Sequence, residues 1–289
     1  MTTGLERAYV ETSLGGRIQH WLDHPEPPIL ILLGPPGCGK TFTALHLLKA
    51  RETQGSYVWI PATWEASLES MLGVWELMDG ETRFTKGDLL LGLSADRCVT
   101  VIDDAHTIAA QLQLLNGFAD GERQISCPAI GKRLPLSGSA RLVIVANPPP
   151  IDAPQWERAR WEIPEQIRDR ARMIELSRGL SREEEERVVR AHWPAETHPE
   201  DVFQGVLDVV GNLRSTALLT SYTPSIRSMV MLCTLLKQGL PLGEAYMESV
   251  GNKFLRADER AVAIQAFSGR FDMEPTETSC VVASSASGD

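Results

Sequence analysis

The stretch at residues 34–41 constrains this chain more than any other. It reads GPPGCGKT and matches the phosphate-loop pattern G-x-x-x-x-G-K-[ST] at every fixed position. The preceding residues 29–33 (ILILL) form a short apolar run that is typical of a buried parallel strand. Residues 43–51 contain no glycine or proline and place apolar side chains at helical spacing. A strand, a glycine loop and a helix in this order bring backbone N–H groups together around an anion.

This pattern predicts a nucleotide phosphate site, with a chance glycine turn as the weaker alternative. Lys40 is expected to reach the β- and γ-phosphates, and the Thr41 hydroxyl is expected to ligate Mg²⁺. ATP and Mg²⁺ are therefore the predicted cofactors. The predicted nucleotide-binding residues in the loop are Gly34, Pro35, Pro36, Gly37, Cys38, Gly39, Lys40 and Thr41.

A second apolar run, residues 98–102 (CVTVI), is followed by Asp103 and Asp104. Buried strands often end in Asp, so the pattern is weak when taken alone. In an α/β chain that also holds a phosphate loop, it predicts the second half of an ATPase site. We expect Asp103 to hold Mg²⁺ and Asp104 to orient the attacking water.

A third apolar run, residues 141–146 (RLVIVA), ends at Asn147, which precedes three prolines. A lone Asn in such a place is usually a turn residue. However, open α/β sheets bind their ligands beside the carboxyl ends of the strands. We therefore predict that Asn147 belongs to the same site as the two acids.

Composition limits the class of protein. The chain has 289 residues, 43% of them hydrophobic, and a formal net charge of −10. Its five cysteines lie far apart, which predicts neither a disulfide framework nor a zinc site and suits a reducing cytosol. The first residues do not resemble a signal peptide, and no run approaches the roughly 18 apolar residues of a membrane span. We expect a soluble, cytoplasmic protein without a broad nucleic-acid surface.

Taken together, the motifs resemble those of AAA+ ATPases. The phosphate loop, the paired acids and the strand ending in Asn147 are followed by residues 163–170 (IPEQIRDR), which complete that order. Residues 80–89 (GETRFTKGDL), the Asn147-Pro148 pair and the two arginines of residues 168–170 resemble, more narrowly, the CbbQ/NorQ group of the MoxR branch. The resemblance covers about residues 28–250.

The resemblance implies further roles. The chain would be an ATPase that works as a ring, a hexamer by this resemblance. Asn147 would be the sensor that contacts the γ-phosphate and water. Arg170, with Arg168 as the second candidate, would be the arginine finger that enters a neighbouring subunit's site, although composition alone favours a solvated helix face. Arg227, at the start of a predicted helix, would be a second sensor on the phosphates, or else an ordinary surface residue.

The same resemblance predicts the domain organisation. We expect an α/β P-loop core over residues 1–175, made of a parallel sheet flanked by helices, and a small helical lid over residues 176–268. Lid helices are predicted at residues 199–210, 225–237 and 242–253. Residues 269–289 are predicted to be a disordered tail, because the stretch from residue 274 onward is small and polar. The Asp79-Gly80 pair predicts a hairpin turn within the core, and residues 125–136 suggest a second hairpin.

Three functions remain open. MoxR-type relatives remodel or activate a protein partner, for example a von Willebrand A-domain protein or a metalloenzyme, and the acidic charge fits such a protein client. The alternative is a DNA-handling AAA+ machine, such as a helicase loader or a replication or packaging factor. The third is a nucleotide-dependent scaffold with little turnover. It stays open because relatives usually carry Glu where this chain has Asp104, whose side chain is shorter by one carbon–carbon bond, ~1.5 Å.

Overall fold

A computed structural model describes residues 8–149, 153–176, 179–216, 219 and 221–272. The chain divides into two compact units, the first running from Glu11 to Ser181 and the second beginning at Arg182 and including residues 8–10. The predicted core boundary at residue 175 lies shortly before this division. No helix of the described residues is long and apolar enough to cross a membrane.

The first unit holds nine strands and seven α-helices among its described residues. The strands are β1 (Ile29–Leu33), β2 (Ser56–Pro61), β3 (Gly73–Met78), β4 (Glu81–Lys86), β5 (Cys98–Asp103), β6 (Gln124–Cys127), β7 (Lys132–Pro135), β8 (Arg141–Ala146) and β9 (Arg172–Glu175). The helices are α1 (Ser13–Asp23), α2 (Lys40–Ala50), α3 (Leu68–Leu72), α4 (Asp88–Ser94), α5 (Asn116–Ala119), α6 (Gln155–Trp161) and α7 (Glu165–Asp169). Two 3-10 helices cover Ala105–Leu115 and Pro128–Ile130.

The centre of this unit is a parallel five-stranded sheet in the order β2-β5-β8-β1-β9. Successive side chains of a strand point to opposite faces, and here both faces are covered. Ile29 and Ile31 pack with α4 and the longer 3-10 helix, whereas Leu30 and Leu32 pack with α1 and α2. Burial on both faces explains why β1 reads as a continuous apolar run.

The strand order decides where the predicted site residues lie. Strand β8 pairs with β1 on one side and with β5 on the other. Because all three strands are parallel, their carboxyl ends share one edge of the sheet. Asn147, directly after β8, therefore falls between the phosphate loop that follows β1 and the acids at the end of β5.

Two hairpins project from the core, and both were predicted. Strands β3 and β4 pair antiparallel through Asp79 and Gly80, whose φ angles are 53° and 82°. Two positive φ values are typical of the type I′ turn that suits the twist of a hairpin. Helix α3, which precedes this hairpin, is short because the chain is already extended at Gly73. The second hairpin pairs β6 with β7.

The second unit is helical in its described residues. Its helices are α8 (Arg182–His192), α9 (Glu200–Ser215), α10 (Ile226–Lys237), α11 (Leu242–Ser249) and α12 (Ala257–Phe271), with a 3-10 helix at Gly251–Lys253. The predicted tail begins at residue 269, whereas α12 continues to Phe271, and residues 273–289 lie outside the described part of the chain. The sequence does not predict helix α12. Its buried stripe consists of Glu259, Ala263 and Phe267, and only Phe267 is a large apolar residue.

Candidate functional site

The phosphate loop has the backbone that its glycines predict. Gly37 and Gly39 have φ angles of 76° and 91°, in the region that glycine reaches without steric cost. Helix α2 begins directly after Gly39, and no side chain caps its first N–H groups. Uncapped N–H groups at a helix N-terminus form a ready site for an anion. The loop of this chain therefore fits a phosphate.

Lys40 lies at the centre of the site and is buried, with 6% of its surface exposed. Its Nζ donates hydrogen bonds to the carbonyl oxygens of Gly34 and Pro35 at 2.6 and 2.8 Å and to Oδ1 of Asn147 at 2.9 Å. Burial lowers the pKa of the Lys40 ammonium, and the neighbouring Cys38, Asp103 and Asp104 oppose this shift. The ammonium thus makes its hydrogen bonds to neutral oxygens, which leaves its charge available for an anion.

The side chains of Thr41 and Asp103 are in contact, as expected for two ligands of one cation. Thr41 Oγ1 donates a hydrogen bond to Oδ1 of Asp103 at 2.7 Å. A hydroxyl and a carboxylate are hard oxygen ligands that suit Mg²⁺. The described residues hold no cluster of three or more His, Cys, Asp or Glu that could bind a metal. Mg²⁺ is usually held by one or two protein groups, by water and by substrate phosphates.

Trp59 also contacts this carboxylate, which sequence analysis does not anticipate. Its Nε1 donates a hydrogen bond to Oδ2 of Asp103 at 3.3 Å. The contact arises because β2 pairs with β5 in parallel and places Pro61 opposite Asp103. Scattered tryptophans in the sequence suggest packing alone, and no local signal marks Trp59. Trp59 thus contacts the predicted metal ligand from the edge strand of the sheet.

Asp104 is linked to Lys40 through the side chain of Asn147. Asn147 Nδ2 donates a long hydrogen bond, 3.5 Å, to Oδ1 of Asp104, while its Oδ1 accepts from Lys40. The carboxamide of Asn147 therefore bridges the lysine and the second acid. This arrangement brings together side chains from three strand ends that are far apart in the sequence.

His106 is a second neighbour that sequence analysis misses. The backbone N–H of Asn147 donates a hydrogen bond to Nδ1 of His106 at 3.4 Å. The imidazole is buried and stacks on the ring of Trp161, with centroids 4.5 Å apart and planes inclined by 20°. Burial lowers the pKa of His106 below its ordinary value. A histidine shortly after an acid pair carries no signal of its own in the sequence.

Neither Arg170 nor Arg168 contacts this group through a hydrogen bond or ion pair in the described residues. Arg170 forms an ion pair with Asp120 of the same chain and donates a hydrogen bond to the carbonyl oxygen of Gln166 at 2.9 Å. The side chain of Arg168, exposed near the end of α7, has no hydrogen-bond or ion-pair partner among the residues that the structure describes. Arg227 is exposed in the first turn of α10, in the second unit.

Comparison with known proteins agrees with the fold. Residues 29–170 match the family model described as AAA domain (dynein-related subfamily). Gas vesicle ATPase GvpN1 from Halobacterium salinarum (strain ATCC 700922 / JCM 11081 / NRC-1) is 36% identical over 72 residues, which are 24% of this chain. That match spans only 20% of the length of GvpN1.

Two solved structures are similar over most of the chain. Crystal structures of NtrX from Brucella abortus, one of them in complex with ADP, both superpose with a TM-score of 0.50. They are 17% and 16% identical, and the alignments cover 93% and 92% of this chain and 67% of each NtrX chain. At such low identity the similarity shows the fold alone. The predicted α/β core of AAA+ type is confirmed, and the matches support the AAA+ ATPase interpretation without resolving the CbbQ/NorQ group.

Proposed function

We propose that this chain, whose residues 29–170 match an AAA domain, hydrolyses ATP with Mg²⁺ in a homo-oligomeric ring and uses the energy to remodel or activate a protein partner. One observation carries the enzymatic part of the proposal. Lys40, Thr41, Asp103, Asp104 and Asn147 meet at the carboxyl edge of three adjacent parallel strands. Phosphoryl transfer needs little covalent chemistry from the protein, so such positioned charges supply most of the catalysis.

Each residue then has a distinct task. The uncapped N-terminus of α2 and Lys40 bind the phosphates, and Thr41 with Asp103 holds Mg²⁺, which would offset phosphate charge when bound. Asp104 accepts the proton of the attacking water, and Asn147 orients that water. The role of Arg227 on the phosphates stays a prediction.

A neighbouring subunit is proposed to supply the missing cation. Neither candidate finger near α7 contacts the site of its own chain in the part that the structure describes. Arg170 is already engaged by Asp120, whereas Arg168 is exposed and available to another chain. We therefore place Arg168 ahead of Arg170 as the residue to test as the finger.

The β3–β4 hairpin supports a protein partner. Its side chains Trp75, Leu77 and Met78 are 52%, 77% and 49% exposed. Exposed apolar side chains grouped on one element are typical of protein interaction sites. The net charge of −10 disfavours the phosphate backbone of DNA as the main partner.

ATP hydrolysis by the purified chain tests the enzymatic proposal directly. We expect Mg²⁺-dependent turnover in the wild type, and Asp104→Asn is expected to bind ATP but to turn over about 10²- to 10⁴-fold more slowly, because a general base is lost. Asn is the matched substitution, since Asn and Asp share both size and tolerance of the left-handed backbone found at Asp104. Equal rates in the two proteins would remove Asp104 from the mechanism.

The slow Asp104→Asn protein also tests the partner. Held in its ATP state, it is expected to retain a protein client from native cells, and the same protein with Leu77→Ser and Met78→Ser is expected to lose it. Several-fold stimulation of the wild-type ATPase by DNA, abolished at high salt, would instead support the DNA-handling alternative.

A further inference from the structure

We infer that His106 is a positioning residue for ATP hydrolysis, which holds Asn147 in place through the backbone N–H of that residue. The inference rests on the proposed function. It assigns His106 no contact with nucleotide or water. Its effect passes through Asn147, whose carboxamide links Lys40 to Asp104.

The N–H of Asn147 needs a partner outside the sheet. The register of β8 with β1 ends at the pair of Ala146 with Leu33, so Asn147 follows the last paired residue. Asn147 is half-buried, and backbone N–H groups shielded from water in native proteins are almost always hydrogen-bonded. Nδ1 of His106, at 3.4 Å, is the acceptor that this N–H finds among the described residues.

The direction of this hydrogen bond determines the tautomer of the His106 imidazole. A backbone N–H can only donate, so Nδ1 must be unprotonated and the ring proton must lie on Nε2. Burial of the ring, which is 6% exposed, favours this neutral form. The charged groups facing the ring are Asp103, Asp104 and Lys40. A protonated His106 would have no acceptor left for Asn147.

One backbone turn places both the acid and the histidine against Asn147. Asp104 has φ 51° and ψ 34°, and the N–H of Thr107 donates a hydrogen bond to its carbonyl oxygen at 2.9 Å. The chain therefore reverses directly after β5. Asp104 meets the side chain of Asn147, and His106 meets its backbone. The two contacts hold the same residue from two directions.

Aromatic packing restrains the ring of His106. Trp161 of α6 stacks on it at 4.5 Å, and Trp64 approaches its edge at 6.4 Å with an interplanar angle of 85°. The two tryptophans also contact each other at 5.8 Å. Because stacking hinders rotation of the imidazole, Nδ1 stays directed at Asn147. A side chain that was buried only for packing would need no such orientation.

Two substitutions at His106 separate positioning from packing. In His106→Asn, Oδ1 takes roughly the place of Nδ1 and keeps an acceptor for Asn147. In His106→Leu, a side chain of comparable size has no acceptor. We expect His106→Leu to lower kcat about 10- to 100-fold, the usual effect of losing a group that orients a catalytic one, with KM for ATP changed by less than about threefold. We expect His106→Asn to recover most of kcat.

The outcomes are distinguishable. If wild type and His106→Leu show the same kcat, or if Asn and Leu variants are equally impaired, the inference is wrong while the ATPase assignment stands. If the wild type itself does not hydrolyse ATP, the proposed function fails and this inference fails with it. Should His106→Leu not fold, ¹⁵N NMR of the wild-type histidines decides. A ring proton on Nε2 of His106 supports the inference, and a proton on Nδ1 overturns it.

Discussion

Asp104 has φ 51° and ψ 34°, a left-handed conformation that few residues other than glycine adopt. Asp and Asn are enriched there, because their short polar side chains can hydrogen-bond to the nearby backbone. Glu does not share this preference. Asp at position 104, where the proteins that this sequence resembles usually carry Glu, is thus matched to the backbone of this chain. Residue identity and local conformation have to be considered together at this site.

Lys40 is expected to be required for nucleotide binding. Lys40→Ala should weaken MgATP binding greatly, because it removes the buried ammonium beside the uncapped helix N-terminus. Lys49→Ala, which removes an exposed lysine from the same helix, is the matched control and should bind normally. Isothermal titration calorimetry measures both. Unchanged affinity in a folded Lys40→Ala protein would show that the phosphates bind elsewhere.

The neutral His106 makes stability depend on pH. Its pKa lies below the ordinary 6.5 in the folded chain, chiefly because burial disfavours the imidazolium. Below pH 6.5 the unfolded chain therefore binds a proton that the folded chain does not, and the free energy of unfolding decreases as pH falls. Above that pH the contribution of His106 is fully present.

Thermal unfolding of wild type and His106→Asn checks this sign. Between about pH 7.5 and about pH 5.5, the Tm of wild type should fall more than that of the variant, which has no ring to protonate. The pKa of His198 is also lowered by burial, but this residue is present in both proteins and cancels in the comparison. Parallel Tm curves would mean that His106 titrates alike in the folded and unfolded chain.

At the scale of elements, close packing between helix and sheet holds the acid-bearing strand. Gly92 of α4 faces Thr100 of β5, and a Cβ built at Gly92 would lie 2.4 Å from Thr100 Oγ1. The side chain of Thr100 is fully buried. The helix therefore approaches β5 more closely than any larger residue at this position would allow. This approach supports the strand that ends in Asp103.

Two glycine substitutions should have opposite effects on stability. Gly92→Ala is expected to lower the free energy of unfolding by about 1–3 kcal/mol through overpacking. Gly16→Ala is the matched control, since Gly16 lies in α1 of the same unit and a Cβ there meets nothing within 4 Å. It should raise that energy by about 0.5–1 kcal/mol through helix propensity. Urea denaturation measures both, and stabilisation by Gly92→Ala would mean that the interface relaxes freely.

At the scale of the whole molecule, the arginines near α7 suggest that one chain does not complete its own site. Arg170 is paired with Asp120, and Arg168 projects near the end of a short helix without a partner in the described residues. A cation supplied by another copy would make each site depend on its neighbour. This dependence can be tested without knowing the ring size.

Mixing two inactive variants provides the test. Arg168→Ala is expected to bind ATP and to hydrolyse it slowly, since arginine fingers contribute roughly 10³–10⁵ in rate in phosphate-loop enzymes. Co-assembled with Lys40→Ala subunits, it should recover activity wherever an intact Lys40 site faces an intact Arg168. Arg170→Ala is the control and should lose less activity, because it mainly removes an exposed ion pair. No recovery in rings shown by native mass spectrometry to be mixed would exclude Arg168 as the intersubunit finger.

The sequence by itself determined the phosphate loop, its flanking strand and helix, and the polar residues at the ends of β5 and β8. These features depend on neighbours within a few positions: glycines that allow positive φ at residues 37 and 39, and apolar runs that must be buried. The Asp79-Gly80 hairpin was predictable for the same local reason.

Only the tertiary structure decided which side chains touch. That Asn147 bridges Lys40 and Asp104 depends on β8 lying between β1 and β5, an order that no local pattern contains. The contact of Trp59 with Asp103 and that of His106 with Asn147 follow from the same strand order. Each of these contacts joins two residues that lie at the carboxyl edge of the sheet but are far apart in the sequence. Such contacts are set by the packing of the whole unit, because periodicity reports only whether a residue is buried and not what it is buried against.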